Sequence, residues 1–407
     1  MLRKRPFLLL TGIALFLSAC LLLAGHILSQ PDEPVTIATV EYGQKYWGTG
    51  ISYTRIIELQ HSGEHNGTLI TTYECATSGL RKEKPGYNIH VSRDGGSGWE
   101  FVTTVRDQTP GLQSEFNPFL YELPQPVGDM PAGTLLLAGL SIDAAHDTST
   151  VIQLYRSHDA GRTWALYTSV AEGSGIGAGI WEPWLMVLPD GRLACYYSDG
   201  TEWKNHSQKL VMKISEDGLH WGEAINVVAL EDRLLRPGMI TIARMNNSCF
   251  LMTYEICNEA NPDSGNAVHY RFSQDGIHWG DVTDPGTRLV TGDGAVPGSA
   301  PYVAYVPGYG TDGLLLVTSV FQTPAQSRGN IVYVNDRLGD PCAWRAWFLP
   351  HEYANSIGGY SHAVFAAQDG LTAYFVNNIP DPAAAEEGYT KMILSRYRFD
   401  ASFIMPE

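Results

Sequence analysis

Ser157 to Trp164 reads SHDAGRTW, and three other stretches nearly repeat it: Ser92 to Trp99 (SRDGGSGW), Ser215 to Trp221 (SEDGLHW) and Ser273 to Trp279 (SQDGIHW). Each sets a Ser and an Asp two apart, then Gly, then Trp, and their first residues lie 65, 58 and 58 positions apart. Self-similarity at such a period marks an array of supersecondary units. Asp and Gly favour a tight turn whose amides the Ser and Asp side chains can satisfy, and the Trp covers the space beneath. Alternating stretches precede the turns, as in Tyr87-Asn88-Ile89-His90-Val91 and Val268-His269-Tyr270-Arg271-Phe272, so each copy reads as a strand-to-strand turn. A second, independent repeat supports the first.

That second repeat is an apolar strand opening on a polar residue or Pro, then a turn, then another apolar strand. It occurs from Arg55 to Leu69, Asn117 to Leu135, Glu182 to Leu193, Arg236 to Phe250, Ala300 to Leu315 and Ser361 to Thr372. Six units of roughly 60 residues match a propeller of four-stranded blades. The expected fold is an all-β, six-bladed propeller over 31–407, with segment 32–46 left over to supply the outer strand of the last blade and close the ring. The four Ser-Asp turns resemble the Asp-boxes of the sialidase superfamily and are expected to be fold staples on the face away from any site.

The chain has 407 residues, with 27 Lys plus Arg against 43 Asp plus Glu, a formal charge of −16. That balance argues against nucleic acid or an anionic membrane surface as a partner. Residues 1–30 differ from the rest: Arg3-Lys4-Arg5 precede an apolar run from Phe7 to Leu28, which reads as an export signal. Leu17-Ser18-Ala19-Cys20 matches a bacterial lipobox, and the whole run is long enough for an uncleaved membrane anchor. Either way the propeller is expected outside the cytoplasm, tethered or secreted, and monomeric. The five remaining cysteines, Cys75, Cys195, Cys249, Cys257 and Cys342, form no CxxC pair, which argues against a disulfide framework or zinc site. Cys249 and Cys257 read as core thiols. No metal and no cofactor are expected.

In a blade the start of the first strand and the end of the second share a face. Those positions give Arg55, Asn117, Glu182, Arg236, Ser299 and Tyr360 as starts, and Glu74, Asp143, Asp199, Glu255 and Phe321 as ends. Paired carboxylates beside Trp181, Trp184, Tyr197, Tyr254 and Tyr360 suit glycoside hydrolysis. One acid protonates the leaving oxygen while the other attacks the anomeric carbon or activates water, about 5–5.5 Å apart for retention and about 6.5–9.5 Å for inversion. Glu182 and Glu255 are the candidates. A rim Glu paired structurally with Arg236 or Arg55 is the plainer alternative.

Sialidases share this architecture, and here Arg55, Glu182 and Tyr360 resemble their first arginine, supporting glutamate and tyrosine. The third-blade strand end, however, reads Tyr196-Tyr197-Ser198-Asp199 with no arginine, and Cys75 to Arg93 contains no aspartate. The chain is more similar to glycoside hydrolase family 93, the exo-α-1,5-L-arabinanases. The likeness spans most of 35–400 and centres on Asn117-Pro118-Phe119-Leu120-Tyr121-Glu122, Trp181-Glu182-Pro183-Trp184, and Arg236-Pro237-Gly238-Met239 leading to Tyr254-Glu255. It implies catalytic Glu182 and Glu255, an accessory Tyr360, and substrate contacts from Arg55, Asn117, Trp181, Trp184, Tyr197, Arg236 and Tyr254. The implied activity is retaining release of arabinobiose from linear arabinan. Two other readings stay open: a sialidase-like exo-glycosidase, and a non-catalytic Asp-box propeller that binds glycans.

Overall fold

A computed structural model describes residues 33–41, 50–76, 86–143, 145–258, 266–323, 331–349, 360–380 and 389–400. Residues 1–30, read above as an export signal or anchor, lie outside them. Six antiparallel sheets follow one another around a ring, and among the described residues the helical content is three single 3₁₀ turns. Blade 1 comprises Gly50–Glu58, Leu69–Ala76, Tyr87–Ser92 and Glu100–Val105. Blade 2 comprises Gln113–Glu122, Leu135–Ile142, Ser149–Ser157 and Ala165–Ser174, and blade 3 Ile180–Val187, Leu193–Asp199, Lys209–Ser215 and Ile225–Val228. Blade 4 comprises Arg236–Arg244, Phe250–Cys257, Asn266–Ser273 and the short Thr287–Arg288; blade 5 comprises Tyr302–Val306, Leu314–Thr318, Ile331–Asn335 and Arg345–Phe348. The pair Val296–Gly298 and Phe321–Thr323 stitches blade 4 to blade 5. Blade 6 takes Ala363–Ala366, Thr372–Pro380 and Tyr389–Arg398 from the end of the chain and its outer strand, Val35–Glu41, from the beginning, with Val35 opposite Leu394. The leftover segment thus closes the ring as its sequence suggests.

Second strands such as Leu135–Ile142 and Leu193–Asp199 are buried along their whole length. They read as unbroken apolar runs because neighbouring blades cover both faces. The boxes occupy the turns between third and fourth strands. In the fourth, Ser273 Oγ donates to Asp275 Oδ1 at 3.0 Å, the Gly276 N–H donates to Ser273 Oγ, the His278 N–H to Asp275 Oδ1, and the Trp279 indole to the Gly276 carbonyl. Gly276 has φ +74°, and a Cβ there would sit 2.7 Å from Met186 Cε of blade 3. The glycine is therefore required twice, by its conformation and by close blade-to-blade packing. A fifth, degenerate turn joins the last two strands of blade 5, where Asn335 Oδ1 receives the Arg337 and Gly339 amides and Trp344 lies buried beyond. Blade 6 has no such turn because its third and fourth strands come from opposite ends of the chain.

Candidate active site

The inner strand of every blade opens on a kink. A left-handed φ recurs there at Tyr53 (+46°), Asn117 (+52°), Glu182 (+54°), Met239 (+60°), Ala300 (+46°, after Ser299 at +66°) and Ser361 (+52°). In blades 1 to 4 the ladder slips at that point, as a β-bulge does. For Tyr, Glu and Met this conformation costs on the order of 1–3 kcal/mol each, and it persists only where the surroundings enforce it. The enforcing contacts come from the blade before. The Tyr53 N–H donates to the Tyr360 carbonyl (3.3 Å), Asn117 N–H to Glu74 Oε2 (3.0 Å), Glu182 N–H to Asn117 Oδ1 (3.3 Å), Met239 N–H to Ser198 Oγ (3.4 Å) and Ala300 N–H to Glu255 Oε2 (2.8 Å). The bulges re-aim these residues toward the central channel.

Two positions further along, a second layer closes the channel. Phe119 stacks on Trp184 (4.4 Å between centroids), Trp184 meets Tyr302 (5.3 Å), and the Arg55 guanidinium lies 5.0 Å over Tyr302. Above that floor is a pocket lined by Arg55, Asn117, Glu182, Met239, Thr241 and Ser361, with free space of about 10 Å³, room for roughly one water.

Glu182 is the pocket's most unusual group. The residue is half-buried, yet its Oε2 is shut off from solvent and has no hydrogen-bond partner. Burial raises its pKa above the ordinary carboxyl value, and the Glu255 charge adds to that. Arg236, Ser198 and the Met239 amide oppose the rise without cancelling it. Glu255 is buried and fully engaged: Oε2 accepts the Ala300 N–H, and Oε1 accepts the Cys257 thiol at 3.4 Å. Both contacts use Glu255 as acceptor. Arg236 lies within the field of both. Burial disfavours its charge, but Glu182, then Cys257 and Glu255, raise its pKa overall. Its guanidinium donates to Gln208 Oε1 (2.7 Å) and toward Cys257 Sγ (3.9 Å).

Tyr360 joins the same cluster. Its ring meets Tyr53 edge-on at 5.5 Å and its hydroxyl points to Met239 Sδ. Burial, then the Glu255 and Glu182 charges, push its pKa up, so the phenol stays neutral. Tyr53 is held neutral by burial, by Tyr360 and by the three glutamates. Arg55 is buried without a carboxylate partner among the described residues. Nη1 donates to the Thr54 and Ser361 carbonyls and Nη2 to Ser361 Oγ, while Nε is unpaired. Burial lowers its pKa. Most of its donors are thus used inside the protein.

The structure therefore assembles Glu182, Glu255, Tyr360, Arg55, Asn117 and Arg236, with Trp184 in the floor. It does not bring Tyr254 to the mouth: that residue is fully buried, its hydroxyl donates to the Pro285 carbonyl and accepts from Arg271 Nε, and its ring stacks on His269. Tyr197 is likewise buried within blade 3, and that burial, then Asp199, pushes the pKa of its hydroxyl up. Trp181 flanks the mouth, edge-on to Phe116. Among the rim positions, Ser198 rather than Asp199 pairs opposite Trp181, and Asp143 falls in an exposed turn with His146 and Thr148. Cys257, expected in the core, stands beside Glu255. Tyr53 was missed, although it precedes Arg55 by the same two residues that separate Glu182 from Trp184.

No family profile and no curated relative matches the chain. Solved structures do. A GH93 α-L-arabinofuranosidase of Fusarium graminearum with arabinobiose is 28% identical, covering 91% of this chain and 98% of its own, at a TM-score of 0.76. A Penicillium chrysogenum α-L-arabinanase complexed with arabinobiose is also 28% identical, with 90% and 99% coverage and a TM-score of 0.76. A Hadza microbial sialidase at 14% identity, covering 86% of this chain and 66% of its own, shares the fold at a TM-score of 0.54.

Proposed function

We propose that this chain, a sialidase-superfamily propeller of the glycoside hydrolase type near family 93, is an exported retaining exo-α-1,5-L-arabinanase. The observation that carries the reading is the contrast between two carboxyls that lie within each other's field: Glu182, in the pocket wall, has an orphaned and buried oxygen, and Glu255 has a donor on each oxygen. A buried carboxyl that favours its proton, beside a second carboxyl held by donors, is the arrangement an acid/base assignment requires.

Glu182, favoured as the neutral acid by its burial, protonates the glycosidic oxygen as that bond to the anomeric carbon breaks. Glu255 forms the new bond to that carbon, giving a glycosyl ester. Water then enters, Glu182 takes its proton as base, and the ester opens to release sugar with the original configuration. Tyr360 and Tyr53 supply uncharged walls beside the developing oxocarbenium ion, and Arg236 offsets the charge shared between the two glutamates. A neutral furanoside suits a mouth in which Arg55 is largely committed to Ser361 and to two tyrosine rings.

The test is incubation of the purified protein with linear arabinan and chromatography of the products. Arabinobiose as the first and main product supports the reading. Binding without hydrolysis would leave a glycan-binding propeller instead. Azide should rescue Glu255→Ala with an inverted glycosyl azide and rescue Glu182→Ala with a retained one; the reverse pattern would exchange the two roles.

A further inference from the structure

Glu74 and Glu255 occupy the same place in blades 1 and 4. Each ends a second strand, and each offers Oε2 to the amide of the left-handed residue in the next blade, Asn117 and Ala300. They differ at the other oxygen. Glu74 Oε1 accepts a hydroxyl, from Ser52 at 3.2 Å, whereas Glu255 Oε1 accepts the thiol of Cys257 at 3.4 Å. A thiol is a much weaker donor than a hydroxyl or amide. Glu255 therefore has one oxygen tied by a strong donor and one merely oriented.

We propose that Oε1 is the attacking oxygen of Glu255, and that Cys257 is a positioning residue that aims this oxygen while leaving its lone pairs available. The proposal rests on the reading of Glu255 as nucleophile. In the attack the Oε1 to anomeric-carbon bond forms, the glycosidic bond breaks, and the leaving oxygen takes the Glu182 proton; the thiol keeps its own. A persistent S–H donor fits this setting: burial, then the Glu255 charge, push the Cys257 pKa up to about 12, and Arg236, whose Nη1 lies 3.9 Å from the sulfur, pulls the other way without cancelling the rise. The other titratable groups facing Glu255 are Glu182 from blade 3, Arg236 from blade 4, Tyr53 from blade 1 and Tyr360.

Three measurements test this on the full chain. The first is the acid limb of kcat/KM, which follows the nucleophile. Removing a donor from an anion disfavours ionisation, so Cys257→Ala should move that limb to higher pH by about half a unit. Cys257→Ser should return it to or below the wild-type position, with a lower kcat because the stronger donor holds the attacking oxygen. A side chain that only fills space would change melting temperature and leave the limb in place in both variants.

The second measurement does not depend on catalysis. Alkylation of Cys257 by iodoacetamide at pH 8, followed on its own peptide by mass spectrometry, should be at least about threefold faster in Glu255→Gln than in wild type, because the anion that holds the proton on sulfur is gone. Equal rates would overturn the contact, and an unmoved acid limb would overturn the positioning role. Full activity in Glu255→Ala, the third measurement, would remove the nucleophile assignment and the proposal with it. Loss of activity there, with an unmoved limb in Cys257→Ala, would reject the proposal alone.

Discussion

Replacing Glu182 by Gln should abolish hydrolysis and stabilise the protein. Ionising Glu182 costs more in the folded protein than in the unfolded chain, since burial raises its pKa more than Arg236, Ser198 and the Met239 amide lower it. A carboxyl whose folded-state pKa is raised favours the fold most when protonated, below its unfolded value, and loses that contribution as pH rises through the folded value. Gln keeps the shape and removes the charge. Leaving a buried acceptor unsatisfied costs about 1–3 kcal/mol, and more when it is charged. Because the Oε2 atom is orphaned but part of the residue is still hydrated, a gain of about 1–2 kcal/mol is expected. At about 2 cal/mol/K per residue of unfolding entropy, that gain raises Tm by roughly 1–3 °C in a chain of this size. The assay is thermal denaturation of both proteins at pH 7 and again near pH 4. The advantage of Gln should shrink in acid, where the native glutamate takes up its proton. A lower Tm for the variant at pH 7, or an advantage indifferent to pH, would refute the account of Glu182 as a destabilised acid.

Arg236→Gln removes the cation that holds Glu182 down, so the alkaline limb of kcat/KM, which reports the acid, should move to higher pH; titration of initial rates on linear arabinan checks it. Asn117→Gly keeps the left-handed backbone but loses the oxygen that receives the Glu182 amide, whereas Asn117→Ala loses both. Activity should fall by about tenfold or more in each through misplacement of Glu182, while Ala should cost about 1–2 kcal/mol more stability than Gly, read by denaturant melts. In the third box the His220 amide and ring and the Leu219 amide hold Asp217 well below the usual carboxylate range. Its contribution is present above the unfolded pKa and lost as pH falls through the folded one, so the Tm deficit of Asp217→Ala at pH 7 should narrow below about pH 4.

The blade frame is legible because its signals are local. A Ser, an Asp and a Gly within five residues fix a turn, and apolar hairpins repeat between such turns. The fifth turn is harder to see, since Asn335 takes the Ser role and no residue keeps the usual spacing to Trp344. The mouth is less legible because its defining feature is a backbone angle. Pro after the candidate residue looks like the marker at Asn117, Glu182 and Ala300, and it also draws Arg236-Pro237 into line; the structure aligns Met239 there instead. The left-handed residues are Tyr, Asn, Glu, Met, Ala and Ser, a set with no shared chemistry. What they share is an amide or carbonyl held by the adjoining blade, and such contacts, between residues 41 to 65 positions apart in four cases and more than 300 apart at Tyr53 and Ser361, leave no trace in a periodic pattern. Tyr197 and Tyr254 misled for a related reason: near a rim, an aromatic on the wrong face of a strand looks the same as one on the right face.

Blade 6 is built from both ends of the chain, whereas the inner hairpins of the other five are local meanders. The pairing of Val35 with Leu394 spans almost the entire polypeptide, so the strand that joins last to first can be seated only after everything between is in place. Closure entropy grows with the logarithm of length, which makes the seam cheap at equilibrium, yet contacts this remote slow folding. The Arg55 bonds to Ser361 cross the same junction between blade 1 and blade 6. During refolding, the appearance of hydrolysis should therefore lag behind the recovery of β-structure, making activity a clock for ring closure. A circular permutant that fuses the present ends and opens between blades 1 and 2 would turn blade 6 into a continuous meander and shorten that lag.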